Sequence, residues 1–175
     1  MVESIKYSVV KAIDRVEIRQ YPRLVLVTVR EMSDDDAFGI LFSYISGQNK
    51  SQKKIAMTVP VVSTEKGEKV PMTTPVLSRK SAFSFVLPAT FTAETAPIPI
   101  DNRARVEETP DRRMAVLRFR GSASSQQVKD KTDELLATLR SNNLTPKSEA
   151  ILMRYNPPFI PGVFRRNEIA VEIAY

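Results

Sequence analysis

The sequence contains neither cysteine nor histidine. Without cysteine there is no disulfide framework, thiol catalysis or thiolate metal site. Without histidine the chain lacks the commonest general base and a common side-chain ligand for metal ions. Acid–base catalysis would have to rest on carboxylates alone, and the sequence shows no pairing between them. We therefore expect a binding protein rather than an enzyme, with no metal site.

Long apolar runs are also missing. No stretch approaches the roughly 20 apolar residues of a membrane-spanning helix, and Met1–Ser4 lacks the apolar start of a signal peptide. We expect a cytoplasmic protein without a membrane span. The net charge is +6, but acidic residues are interspersed with the basic ones, which do not cluster with aromatic residues. We therefore do not expect nucleic-acid binding.

A repeated pattern runs through the 175 residues. Residues 5–95 and 100–175 each read as a β-α-β-β unit, joined by the proline-stiffened linker Pro97–Asp101. The first two strands of each unit are Val16–Tyr21 and Leu24–Val29 in the first, and Arg105–Thr109 and Met114–Phe119 in the second. A chain too short for two independent cores predicts a single domain, residues 1–175, around a pseudo-twofold axis.

A helix and two further strands complete each unit. The predicted helices are Ala37–Ile45, capped by Ser33–Asp36 and stopped at Gly47, and Ser125–Arg140. The strands that follow them are Ile55–Pro60 and Phe83–Pro88 in the first unit, and Ile151–Tyr155 and Glu168–Ile173 in the second. We predict an α+β fold, a distorted (split) antiparallel β-barrel flanked by two helices.

The first unit also contains a shorter internal repeat. Lys54–Val61 recurs as Lys69–Val76, with a turn at Thr64–Glu68, which predicts a hairpin. Alternation places Met57 and Met72 on the apolar faces of the two strands, where a core role is favoured over metal ligation.

The two helices differ in the width of their apolar faces. The second has one ordinary stripe, formed by Val128, Leu135, Leu136 and Leu139. The first has a stripe of Phe38, Leu41, Phe42 and Ile45, which Ala37, Ile40 and Tyr44 widen to roughly 200°. Something must cover the surplus: a loop of the same chain, a partner subunit or a flat apolar ligand.

A second unusual segment is Tyr155–Glu168, which we call the proline-rich loop. Three prolines stiffen it, and it ends in Arg165 and Arg166 before Asn167. Its apolar side chains are Phe159, Ile160, Val163 and Phe164. They could plug one end of the barrel, or they could hold the body of a hydrophobic anion whose carboxylates pair with the arginines.

At these residues the chain resembles the SOUL family of haem-binding proteins. The matching segments, in the family's order, are Val16–Tyr21, Tyr44–Asn49, Lys54–Val61, Arg154–Phe159 and Arg165–Glu168. The resemblance implies a distorted barrel of two similar halves that binds haem or free porphyrin non-covalently between the first helix and the proline-rich loop. Carried onto this sequence, it implies ligand contacts from Phe38, Leu41, Phe42, Ile45, Phe159, Ile160, Val163 and Phe164, with Arg165, Arg166 and Lys53 or Lys54 for the propionates.

One position departs from the family pattern. Some members have a histidine, proposed as an axial ligand, where this chain has Gln20. Iron could then be held only by a tyrosine, methionine or lysine, or by no protein ligand. We expect modest affinity, with metal-free porphyrins binding about as well as haem.

Two other functions remain open. The same architecture resembles the effector-binding domains of multidrug regulators, which grip flat cations with a buried carboxylate, here Glu172 or Glu17. Alternatively, the wide face of the first helix docks a protein partner. A monomer is favoured, and the sequence leaves the physiological ligand undetermined.

Overall fold

The fold was analysed in a computed structural model, which describes residues 3–51 and 67–174. Lys53, Lys54, the predicted strand Ile55–Pro60 and the first half of the predicted hairpin lie outside these residues. In chain order the elements are β1 Glu3–Ser4, β2 Ser8–Ile13, β3 Val16–Tyr21, β4 Leu24–Arg30, α1 Asp34–Ile45, β5 Asn49–Lys50, β6 Thr73–Thr74, β7 Val76–Arg79, β8 Ala82–Val86, β9 Ile98–Pro99, β10 Ala104–Thr109, β11 Arg112–Arg120, α2 Ser125–Ser141, β12 Ile151–Arg154, the 3-10 turn Gly162–Phe164 and β13 Arg166–Glu172.

Nine of these strands form one antiparallel sheet, in the order β10-β4-β8-β7-β12-β13-β11-β3-β2. The strands of the two units correspond in chain order: β3 with β10, β4 with β11, β7 with β12 and β8 with β13. Apart from β2, replacing each strand by its counterpart gives the same sheet order read from the other end. The repeat therefore becomes a pseudo-twofold axis between β7 and β12. Each unit gives its first strand to the other: β3 pairs with β11, and β10 pairs with β4.

The place equivalent to β12 belongs to β7, residues 76–79. Only Thr73 and Thr74 of the predicted strand Lys69–Val76 form a separate short strand, which pairs with β1. Within the described residues, no helix is long and apolar enough to cross a membrane.

The sheet buries both of its faces. On the outer face, α1 packs on β4 and β8, and α2 packs on β11 and β13. The inner face carries a separate cluster of buried apolar side chains, to which both repeated units contribute. Its members include Leu26, Leu77, Met114, Val116 and Met153. These side chains are buried although neither helix packs on that face, so the sheet must curl over itself. This is the predicted α+β split barrel.

Serine side chains cap both helices, as expected for Ser33 at the first. The Ser33 hydroxyl accepts a hydrogen bond from the Asp36 backbone N–H at 3.2 Å, and the Ser124 hydroxyl accepts one from Gln127. Helix α1 begins three residues before the predicted Ala37 because the acidic residues after the cap are themselves helical. Gly47 follows its end with a φ of +119°, which favours glycine.

The chain itself covers part of the wide apolar face of α1. Ala37 and Tyr44 are buried, and the Tyr44 hydroxyl donates to the Pro97 carbonyl at 2.7 Å. On this side of α1, Tyr44 therefore packs against the linker between the two units. On the other side, Phe38 is half-buried and Phe42 is exposed. The open part of the helix is thus narrower than the sequence suggested.

Helix α2 gives a direct test of core packing, because Leu135 and Leu139 are both fully buried against the sheet. We expect Leu139→Ala to lower the free energy of unfolding by about 2–5 kcal/mol, as core truncations do. Val10→Ala, at an exposed position of β2, should change it by less than about 0.5 kcal/mol. Urea unfolding monitored by circular dichroism measures both, and equal effects would contradict this packing.

Candidate functional site

A cavity of about 520 Å³ lies between α1 and the proline-rich loop, and we call it the α1 groove. Its volume falls within the roughly 300–1,000 Å³ of small-molecule pockets. Apolar side chains dominate its walls: Phe38, Phe42, Met72, Val76, Phe83 and Phe159. The helix and the loop are therefore not packed tightly against each other, and a flat apolar molecule has room to enter.

Aromatic contacts fix the helix wall of the groove. The rings of Phe38 and Phe42, one helical turn apart, stack at 5.9 Å between centroids. Phe38 also meets the buried ring of Phe85 edge to face at 5.4 Å. Because Phe85 belongs to the core, it holds Phe38 in place, and Phe38 in turn supports Phe42 at the open side.

Two guanidinium groups stand at the polar rim of the groove. Arg154 donates to Asp34 at 3.2 Å, and Ser78 donates to the same carboxylate oxygen at 2.9 Å. Arg165 donates to the backbone carbonyls of Pro158 and Ile160, so it braces the proline-rich loop from within. The lining also includes the carboxylates of Asp34 and Asp35, and each guanidinium already has partners of its own.

Four predicted ligand residues line the groove together: Phe38, Phe42, Phe159 and Arg165. Leu41 and Ile45 are buried beneath the helix, and Ile160 is half-buried in the loop. Val163 and Phe164 are exposed on the 3-10 turn and are not among the lining residues. Lys54 lies outside the described residues. A ligand contact at each of these positions stays a prediction.

The lining also includes residues that sequence reasoning did not single out. Met72 directly precedes β6, Val76 begins β7 and Phe83 lies on β8, while Tyr155 follows β12. Met72 was expected in the core; it packs partly on the core cluster and partly faces the groove. Tyr155 belongs to the late motif Arg154–Phe159. Val76 and Phe83 lie on strands, and strand alternation alone does not show which face of a curled sheet lies next to a helix.

Close to the groove, a charged network is buried inside the barrel. Arg19 on β3 and Glu168 on β13 are almost completely inaccessible, and they form a two-pronged ion pair with N···O distances of 2.9 and 3.0 Å. Two further guanidinium N–H groups of Arg19 are used as well: Nε donates to Glu17 at 2.7 Å, and Nη1 also donates to Tyr21 at 3.0 Å. Both charges are thus compensated within the protein.

The network extends to the base of the proline-rich loop. The Tyr155 hydroxyl donates to Glu168 at 2.7 Å, and Arg166 donates to the other carboxylate oxygen at 2.8 Å. The Arg166 guanidinium also stacks on the Tyr155 ring at 4.2 Å from its centroid. Arg166, predicted as a partner for a ligand carboxylate, is therefore already paired with a carboxylate of the protein.

The network also sets the protonation of its members. Burial alone would raise the pKa of Glu168, but hydrogen bonds from Arg19 and Arg166 outweigh it and hold that pKa below its ordinary range. Burial raises the pKa of Tyr155 as well, and Glu168 adds to the effect. At neutral pH the carboxylate is therefore charged and the phenol is protonated.

Comparison with protein families gives one match over nearly the whole chain, the family described as SOUL heme-binding protein, at residues 2–172. This chain belongs to the SOUL family. Three of the segments that carry the resemblance, Val16–Tyr21, Arg154–Phe159 and Arg165–Glu168, meet in the network around Glu168. The SOUL motifs of these segments therefore include residues that hold the barrel together. A comparison with curated proteins found no match.

Solved structures of the same fold support the SOUL architecture. A hydrolase from Listeria innocua superimposes with a TM-score of 0.59 at 12% identity, over 94% of each chain. The EcmrR C-terminal domain superimposes with a TM-score of 0.59 at 10% identity, over 96% of this chain and 98% of that domain. At such low identity these similarities establish the fold alone.

The buried ion pair makes stability depend on pH. The lowered pKa of Glu168 stabilises the fold above its unfolded value of about 4.3, and that contribution is lost as the pH falls through the folded pKa. Glu168→Gln leaves Arg19 without its charged partner, and we expect a loss of about 3–5 kcal/mol at neutral pH.

The measurement is urea unfolding of both proteins at neutral pH and at several values below about 4.3. The gap between wild type and Glu168→Gln should narrow as the pH falls. Glu107→Gln, which removes the partner of the exposed Arg30, is the matched control and should cost only about 0–1 kcal/mol. A gap at Glu168 that is independent of pH would contradict the lowered pKa.

Proposed function

We propose that this protein binds a haem or free porphyrin non-covalently in the α1 groove and carries out no reaction of its own. The observation that carries the proposal is the open apolar cavity between Phe38 and Phe42 on the helix and Phe159 on the loop. Membership of the SOUL family supports a tetrapyrrole as the ligand. Aromatic walls that face each other across a groove suit a planar macrocycle.

The groove residues fit the macrocycle better than they fit its iron. Among the described lining residues, Met72 and Tyr155 have side chains of the types that bind haem iron in proteins. Tyr155 is a poor candidate, because its hydroxyl is bonded to Glu168 and its raised pKa disfavours the phenolate. A bound haem would supply redox-active iron, while these residues supply apolar contact and exclude water from one face of the ring.

Ring carboxylates would be met at the rim of the groove. Arg154 and Arg165 both line the groove, and their present partners are an exposed carboxylate and two backbone carbonyls. A propionate could share these guanidinium groups because Arg has five N–H donors. Lys54, implied by the family resemblance, would add a further cation. Arg166 is less suitable because it is committed to Glu168.

The buried charges give little support to the binding of flat cations. Cation binding needs an uncompensated buried carboxylate, but Glu168, which is the buried carboxylate among the described residues, is neutralised by Arg19 and Arg166. Glu17 pairs with Arg19, and Glu172 lies 3.7 Å from Lys147. The likeness to the EcmrR C-terminal domain keeps a regulator-type effector function as the second candidate. Tighter binding of cationic dyes than of porphyrins would favour it.

Truncation of one groove aromatic tests the site. Phe42→Ala should weaken hemin binding about tenfold, because the ring gives a large part of the apolar contact on the helix side. A Soret-band titration measures the affinity. Phe164→Ala, which removes an equally large exposed ring outside the groove lining, is the matched control and should bind like wild type. Equal affinities for all three proteins would remove the groove from consideration.

Comparison of porphyrins tests the role of iron. Hemin and metal-free protoporphyrin should bind within about threefold of each other, because no histidine or cysteine is available as a strong axial ligand. Fluorescence quenching of protoporphyrin and the hemin titration give the two affinities. A large preference for hemin that disappears in Met72→Leu would instead assign an axial ligand to Met72.

A further inference from the structure

Outside the α1 groove, the proline-rich loop presents apolar side chains to solvent. Phe159 is 81% exposed, Val163 70% and Phe164 64%. We call these three the apolar tip. Isolated exposed apolar residues are ordinary, but three large ones within six positions mark an interaction surface. Val163 and Phe164 lie outside the groove lining, and Phe159 stands at its edge.

The loop holds this exposure in place. Pro157, Pro158 and Pro161 restrict the backbone, and Arg165 ties the loop together through the carbonyls of Pro158 and Ile160. The 3-10 turn closes with the Phe164 N–H donating to Pro161 at 2.9 Å. The apolar side chains are therefore presented by a braced loop, and they cannot simply fold back into the core.

Basic residues outnumber acidic ones around the apolar tip. The 3-10 turn packs against the end of β11, and the Gly121 N–H donates to the Arg165 carbonyl at 3.3 Å. The segments nearest this contact, Arg118–Gln127 and Arg154–Asn167, contain no aspartate or glutamate. They contain five arginines: Arg118, Arg120, Arg154, Arg165 and Arg166.

Arg120 is the arginine best placed to act outside the protein. It ends β11 opposite Arg166, is exposed, and forms no ion pair with any residue that the structure describes. Arg118 is half-exposed and only 3.5 Å from Glu168, whose charge Arg19 already balances. The nearest acidic side chains of the adjoining groove are Asp34 and Asp35 on α1, and Asp34 is paired with Arg154.

We propose that the apolar tip and the arginines around it dock this protein onto an anionic membrane surface. The aromatic and aliphatic side chains would enter the headgroup region, and the arginines would contact lipid phosphates. A second copy of the chain fits less well, because a twofold contact would bring both sets of arginines together. Side chains that protrude from a braced loop also suit a soft interface better than a preformed protein pocket.

This docking would serve the groove, although it does not depend on the proposed function. Phe159 belongs both to the apolar tip and to the groove wall. A membrane that receives the tip therefore lies at the mouth of the groove. An apolar ligand dissolved in the bilayer could then pass into the protein without crossing water.

Vesicle co-sedimentation of the full chain without porphyrin tests the proposal. Vesicles of phosphatidylcholine with one quarter phosphatidylserine should bind the protein, and pure phosphatidylcholine vesicles should bind it about tenfold less. The double variant Val163→Ser with Phe164→Ser should lose about tenfold in binding or more. Arg120→Glu should also lose about tenfold, and high salt should weaken wild-type binding.

Arg140→Glu is the matched charge control. It makes the same change in net charge at an exposed position of α2, roughly 22 Å along the helix from its start near Gly121. It should bind vesicles almost like wild type. Because Val163, Phe164 and Arg120 do not line the groove, hemin titration of their variants separates a failure of membrane docking from a failure of porphyrin binding.

Three results would overturn the proposal: no sedimentation with phosphatidylserine vesicles, equal sedimentation of Arg120→Glu and Arg140→Glu, or equal binding to both kinds of vesicle. Dimerisation that the double variant abolishes, measured by sedimentation velocity without vesicles, would assign the apolar tip to a second copy instead.

Discussion

The buried ion pair between Arg19 and Glu168 is the constraint on which the rest of the structure depends. The two residues come from strands on opposite sides of β11, one from each repeated unit. Each charge would be costly to bury alone, so the barrel interior is satisfied only when β3 has crossed to the other unit and β13 lies in its register. The pair thereby couples the exchange of strands to the closing of the barrel.

The same interaction positions the candidate site. Glu168 receives hydrogen bonds from Tyr155 and Arg166, the residues at the two ends of the proline-rich loop. With both ends held at one carboxylate, the loop must leave the sheet and return within a short distance. Phe159 of the loop lines the groove together with Phe38 and Phe42 of α1, so the position of this groove wall depends on how the loop is anchored.

Much of the architecture was predictable because it follows from local rules. Alternation of apolar residues predicted most strands, and the cap at Ser33 predicted the start of α1 within three residues. At the site, the pattern drew attention to the helix face and the late loop that line the groove, while ligand contacts there stay a prediction. It could not separate Phe42, which faces the groove, from Leu41 beneath it, since both extend the same stripe. It also gave no sign that Arg166 is paired inside the protein.

By itself, the sequence determined the repeated units, the absence of histidine and cysteine, and the stiffness of the proline-rich loop, because each is a property of composition or of neighbouring residues. Only the tertiary structure decided which strands are exchanged, which arginines remain open to the outside and where the groove lies. Those outcomes depend on pairs far apart in the chain, such as Arg19 with Glu168. Whether a charged side chain forms an ion pair within the protein or stays exposed to a partner depends on which residues the fold places next to it.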